Sequence, residues 1–168
     1  MLKLVFPNKS HKEMWKKMIS EWDWRKAPED LFVDEYESFL DLIIKDLEWR
    51  DWRVSSHLFF MFDDNIDDEI IWVIQLRHKI PLIKTSLGAI EEIWHIWYGI
   101  STKYRWRWYA TKMLKLWLET IKELWLDIDK VLITCDTDNI ASARVIEKNW
   151  WFFEKINTRG KRKYRINL

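Results

Sequence analysis

Apolar positions along the chain switch between a two-residue and a helical period, and the switches mark its elements. Leu2 to Phe6 alternates loosely in strand-forming residues until Pro7 and Asn8 stop it. From Ser10 the spacing becomes helical. Met14, Trp15, Met18 and Ile19 share one face, and Ser10 with Glu13 has the form of a capping box. A second helix is predicted from about Asp34 to Leu47, with Tyr36, Phe39, Leu40, Ile43, Ile44 and Leu47 at helical spacing. His57 to Phe62 and Glu69 to Arg77 read as two strands joined by the acidic turn from Asp63 to Asp68. Ile90 to Ile100 should be a third central strand after a polar link. Tyr109 to Leu126 is the clearest helix, with an apolar stripe that includes Ala110, Met113, Leu114, Trp117, Leu118 and Ile121. Lys130 to Cys135 reads as a buried strand, Asn139 to Lys148 as a helix, and Phe152 to Ile156 with Tyr164 to Leu168 as a closing hairpin around Gly160.

The predicted order is therefore β-α-α-β-β-β-α-β-α-β-β. A run of antiparallel strands that passes into strand-helix-strand implies an α/β (α+β) domain, with a mixed central sheet and helices on both faces. No repeat or linker interrupts it, so residues 1–168 read as a single domain, long enough to close a core. Charge adds little: 28 Lys and Arg against 27 Asp and Glu leave a formal net charge of +1. No global field draws the chain to nucleic acid or an anionic membrane. Only the tail from Arg159 to Arg165 is locally basic, and a solvated hairpin turn accounts for it. Met1 to Trp15 lacks the long apolar run of a signal peptide, and no run is long enough to span a bilayer. With one cysteine, Cys135, the expectation is a cytoplasmic protein, monomer or homodimer.

Composition changes the picture at one point. The chain has 14 Trp and only 3 Gly, where average usage gives roughly a dozen glycines at this length. Several of those tryptophans stand in the segment with the most chemistry, Ile96 to Ala110. There a strand runs into a short basic loop with Arg105 and Arg107, and the loop opens a strong helix. A helix start presents unpaired N–H groups and the positive end of a dipole, which suits an anion such as pyrophosphate. Taken alone, a solvated loop fits the same residues.

The order of elements and this segment together resemble the GNAT acetyltransferases, whose cofactor motif R/Q-x-x-G-x-G/A opens the helix after the fourth strand. The chain has Arg105-Trp106-Arg107-Trp108-Tyr109-Ala110, with tryptophan at the motif's first glycine position; read with glycine at 106 and 108 it becomes RGRGYA. The same replacement recurs at Trp72, Trp94, Trp97, Trp125, Trp150 and Trp151, and the likeness runs from about Glu69 to Phe153. The regularity points to a gene in which UGA means glycine, rendered with a code in which it means tryptophan; a Trp-rich natural or designed chain is the alternative.

The resemblance implies acetyl-CoA as co-substrate, no metal, and an amine-bearing small molecule or protein as acceptor. It places the pantetheine arm along the backbone of Ile96, Tyr98, Gly99 and Ile100. The pyrophosphate falls on Arg105, Trp106, Arg107, Trp108, Tyr109 and Ala110, and Asn139 lies near the pantetheine and the amine. Transfer would be direct attack of the amine on the thioester, with a base to take its proton. His95 is the first candidate base because its ordinary pKa is near operating pH; Glu92 and Glu91 follow. Arg77 and His78 end a strand and are candidates for the substrate cleft, or simply a surface strand end. The tyrosine that many relatives carry on the last helix falls at Ile146, so the acid is unassigned. That gap keeps a second reading open, a non-catalytic acyl-CoA-binding or partner-binding domain on the same scaffold.

Overall fold

The computed structural model describes residues 1–21, 33–48, 54–79, 82–84, 90–92, 95–105, 108–124 and 128–168. Its elements are β1 (Leu2–Val5), α1 (Lys12–Glu21), α2 (Tyr36–Lys45), β2 (Ser56–Asp63), β3 (Trp72–Arg77), β4 (Leu82–Lys84), β5 (Ile90–Glu92), β6 (Ile96–Ile100), α3 (Tyr109–Glu123), β7 (Lys130–Asp136), α4 (Ile140–Lys148), β8 (Phe152–Ile156) and β9 (Lys161–Asn167). Seven strands form one sheet in the order β1-β2-β3-β6-β7-β9-β8. All neighbours in it are antiparallel except β6 and β7.

Beta2 carries the logic of the fold. Its residues are buried on both faces, so alternate side chains serve two cores. Leu58 and Phe60 face α1 and α2, where they meet Trp15, Met18, Tyr36 and Phe39. Phe59 and Met61 face α3 and α4, with Met113, Leu114, Trp117 and Ile146. A strand buried on both sides reads as a continuous apolar run, as His57 to Phe62 does. The helices answer with one apolar stripe each.

The observed order matches the predicted one for the seven-stranded sheet, with differences at the joints. Residues Ile90–Glu92 do not run on into the central strand; they pair with Leu82–Lys84 in a separate two-stranded sheet. Apolar pattern cannot show this, because it records burial and not which strand supplies the hydrogen-bond partner. The helical entry near residue 10 is capped by Asn8 and not by the Ser10–Glu13 box. Asn8 Oδ1 accepts from the Ser10 N–H at 2.9 Å, and the Asn8 N–H donates to His11 Nδ1 at 3.1 Å. Glu13 instead pairs with Lys16 one turn on. The closing hairpin turns at Gly160, whose φ of 70° favours glycine.

Phe60 is fully buried and stacks on Phe39, centroids 5.9 Å apart and planes 7° from parallel. Phe60→Ala removes that contact from the middle of the face that seats α1 and α2. It should lower stability by about 3–5 kcal/mol, read as a drop in the urea midpoint with an unchanged slope.

Candidate active site

The parallel pair β6–β7 is the most sparsely paired junction in the sheet. Its register is held only at Ile96 opposite Ile133. Just before that point the two strands are tied twice by one residue: the His95 N–H donates to the Leu132 carbonyl at 2.9 Å, and the Leu132 N–H donates to His95 Nδ1 at 3.0 Å. The imidazole stands in for a backbone carbonyl. Beyond Ile96 no ladder joins the strands, so Tyr98 to Ile100 on β6 and Cys135 on β7 lie along a V that opens toward the carboxyl ends. In an α/β sheet that end is where ligands bind.

The open end of the V leads to the start of α3. Thr102–Tyr104 form a 3-10 turn, Arg105 follows, and Trp108 occupies the N-cap with no side-chain hydrogen bond to the helix. Helix α3 therefore offers the bare N–H groups and dipole end that an anion needs. Trp106 and Arg107 lie outside the described residues. Trp108 has φ 61° and ψ −3°, the left-handed region, and its ring is mostly exposed beneath Lys148 Nζ, 4.3 Å from the centroid. An N-cap normally has extended backbone.

The loop before α3 is anchored by Glu69. Its carboxylate accepts from Lys17 at 2.7 Å and from Lys103 at 2.7 and 2.8 Å, and the Tyr104 hydroxyl donates to it as well. Bonds from Lys103, Lys17 and Tyr104 together bring the Glu69 carboxyl down to about 2. One acidic side chain thus joins the segment that leads into β3 to α1 and to the turn before α3. Sequence reasoning passed over it, since a lone glutamate between two strands carries no motif.

A model of the acetyltransferase (GNAT) domain matches residues 2–149. The chain belongs to the GNAT acetyltransferase family. No curated protein sequence matches it. Among solved structures, RimL, a ribosomal L7/L12 alpha-N-protein acetyltransferase, is similar at 17% identity and TM-score 0.68, over 99% of this chain and 90% of that one. A Salmonella typhimurium acetyltransferase that modifies the N-terminal serine of ribosomal protein L7/L12 gives 17% identity and TM-score 0.67, over 99% and 95%. The Campylobacter jejuni N-acetyltransferase PseH, in complex with acetyl coenzyme A, gives 14% and 0.58, over 99% of each chain.

The other sequence candidates are spread over β5, β6 and the starts of α3 and α4. Ile96, Tyr98, Gly99 and Ile100 form one edge of the V, and Tyr109 and Ala110 open α3. Asn139 is the N-cap of α4, exposed, its Oδ1 accepting the Ser142 N–H at 3.1 Å. His95 is poorly equipped as a base. Its Nδ1 lone pair is taken by Leu132, so the neutral ring carries its proton on Nε2. Burial, with a smaller push from Arg165, lowers it to about 4. Glu92 is bound to Lys163 at 2.6 Å and to Arg165 at 2.7 Å. Burial alone would raise its carboxyl, but those two partners outweigh it and hold it below the usual range. Glu154 shares both cations, so Lys163 and Arg165 are paired within the protein.

Arg77 and His78 lie at the closed end of the V. The Arg77 N–H donates to the His95 carbonyl at 2.8 Å, and His78 Nε2 is 2.7 Å from His57 Nδ1. Burial and the neighbouring imidazole bring His78 to about 4. Trp72 and Trp97 lie on β3 and β6, Trp150 and Trp151 follow α4, and Trp94 and Trp125 fall outside the described residues. A cavity of about 430 Å³ lies elsewhere, beside β1 and α1, lined by Met14, Phe62, Asp63, Asp64 and their neighbours. Among the described residues no three His, Cys, Asp or Glu side chains group as a metal site, and no helix is long and apolar enough to cross a membrane.

Glu69 gives the site a pH signature. Its carboxyl is depressed from 4.5 in the unfolded chain to about 2. Its stabilisation is therefore complete above 4.5 and is lost as pH falls toward 2. Glu69→Gln should reduce stability at neutral pH and flatten that acid slope, read from urea midpoints at about pH 6 and about pH 3.

Proposed function

We propose that the protein is an N-acetyltransferase that moves an acetyl group from acetyl-CoA to a primary amine by direct attack, with no acyl-enzyme intermediate. The observation that carries this reading is the β6–β7 junction, tied at Ile96 and Ile133 and open beyond them toward the bare start of α3. The unpaired inner edge of β6, at Tyr98 to Ile100, suits the amide-bearing pantetheine arm as an added strand. The N–H groups of Tyr109 and Ala110, with Arg105 beside them, suit the pyrophosphate. Two reactants held in one V react as if unimolecular, which supplies much of the rate.

The acceptor is an amine-bearing small molecule or protein. Because neither His95 nor Glu92 offers a free, suitably basic lone pair, water carries the amine proton away. Arg77 and His78 remain candidates for the acceptor side, since they flank the closed end of the same V, Arg77 roughly 17 Å from the level of Ile100 at strand rise. A cytoplasmic setting suits Cys135, a buried thiol without a partner cysteine. The non-catalytic alternative rested on the missing tyrosine, a gap that a second hydroxyl in the V can fill.

Calorimetry with acetyl-CoA tests this reading on two forms. One is the chain with its tryptophans; the other carries glycine at 72, 94, 97, 106, 108, 125, 150 and 151. Binding by at least the glycine form is expected, with the tryptophan form weaker because an indole at 108 crowds the helix start. If a folded glycine form does not bind, the acetyltransferase reading falls.

A further inference from the structure

The acid of the reaction is missing from its usual place. Ile146 stands where many relatives carry tyrosine, and its aliphatic side chain is fully buried against α3 and the sheet. A hydroxyl enters the V from the opposite side instead. Tyr98 is two residues past the last register pair of β6 and β7, so its ring lies where the strands have parted. Its Oη is 2.5 Å from Ser142 Oγ, in the first turn of α4. Ser142 is itself fixed, because its N–H is held by the Asn139 cap. Two hydroxyls from two elements thus meet in the V, at the positive end of a nine-residue helix.

We propose that Tyr98 is the general acid for the departing thiolate, with Ser142 as its proton relay. As the amine nitrogen bonds to the carbonyl carbon, the C–S bond breaks and its electron pair goes to sulfur. Sulfur takes the Tyr98 proton, and Tyr98 recovers one from Ser142, which draws on solvent. The nitrogen, cationic once bonded, gives one proton to water while Ser142 takes one from water, so a neutral amine and acetyl-CoA become the amide and free CoA thiol with no net proton. Burial keeps the Tyr98 phenol protonated, up to about 12. The same surroundings raise a neighbouring sulfur: burial pushes the Cys135 thiol up as well.

This assignment rests on the acetyl-transfer reading, so the test begins with the form of the protein that binds acetyl-CoA. Thiol release is followed with small primary amines and with peptides bearing a free N-terminus or a lysine. Slow acetyl-CoA hydrolysis supplies the signal if no amine is taken. Tyr98→Phe should lower kcat by about 100-fold, leave acetyl-CoA binding within about threefold of the parent, and abolish the alkaline fall of the kcat–pH profile. Ser142→Ala, a smaller change if Tyr98→Phe fails to fold, should give a partial loss and move that alkaline limb. Either variant with parental kcat and an unchanged alkaline limb overturns the proposal. A parent that binds no acetyl-CoA overturns the acetyl-transfer reading instead.

The backbone carries a second inference on its own. Among the described residues three non-glycine positions have positive φ: Asp68 at 53°, Trp108 at 61° and Trp150 at 64°. Aspartate tolerates this region; for a large L side chain it costs about 1–2 kcal/mol. Trp108 is the N-cap of α3, and Trp150 follows the C-cap Asn149 of α4, the position that glycine takes at helix ends. Both belong to the set that the GNAT motif marks as glycine. We infer that these codons are read as glycine in the cell that makes the protein. Trp150 is almost fully exposed, so Trp150→Gly removes strain without removing packing and should raise Tm by about 2–4 °C. Peptide masses of the protein from its own cells should show glycine at 108 and 150. Tryptophan masses there, or a lower Tm for Trp150→Gly, overturn the inference.

Discussion

The site depends on how two parallel strands are allowed to part. Antiparallel neighbours hold β6 on one side along its whole length, from Trp72 opposite Ile100 to Leu76 opposite Ile96. Antiparallel β9 likewise holds β7 from Lys130 to Asp136. Only the seam between β6 and β7 is free to open, and His95 sets where it closes, by a backbone bond to Leu132 and a side-chain bond from it. Burial, with a smaller push from Arg165, lowers its pKa and keeps the ring neutral, so that Nδ1 can accept the main-chain N–H. The residue that looked most catalytic in the sequence is the clamp at which the seam closes.

Two cores keep the sheet rigid enough for such an opening to hold its shape. Beta2 and β3 are buried on both faces, and α1 with α2 covers one while α3 with α4 covers the other. Helix α3 is thereby fixed with its start against the open seam, and α4 is fixed with Ser142 over Tyr98. Side chains that fill both faces lock the strand register, because a slip of one residue would exchange the two cores.

Charge acts locally. Glu69 gathers Lys17, Lys103 and Tyr104 around the approach to α3, and Glu92 with Glu154 consumes Lys163 and Arg165 at the far side of the sheet. Each network joins elements distant in sequence, and each takes out of play side chains that a linear reading would assign to a base or an anion patch. The left-handed turns at Trp108 and Trp150 show the opposite effect, a backbone demand that the side chain does not suit.

The sequence by itself determined the element order, the apolar stripe of α3 and the family motif ahead of that helix, since all of these are written in period and local motif. It also exposed the glycine deficit, because composition needs no structure. Tertiary structure decided the rest. It separated Ile90–Glu92 from the central strand, gave His95 to a backbone N–H and Glu92 to two cations, and brought Tyr98 to Ser142 across forty-four positions. Those outcomes turn on which groups meet in space. Hydrogen-bond partners and ion pairs between distant segments leave no periodic trace along the chain, whereas burial on one face of a helix or strand does.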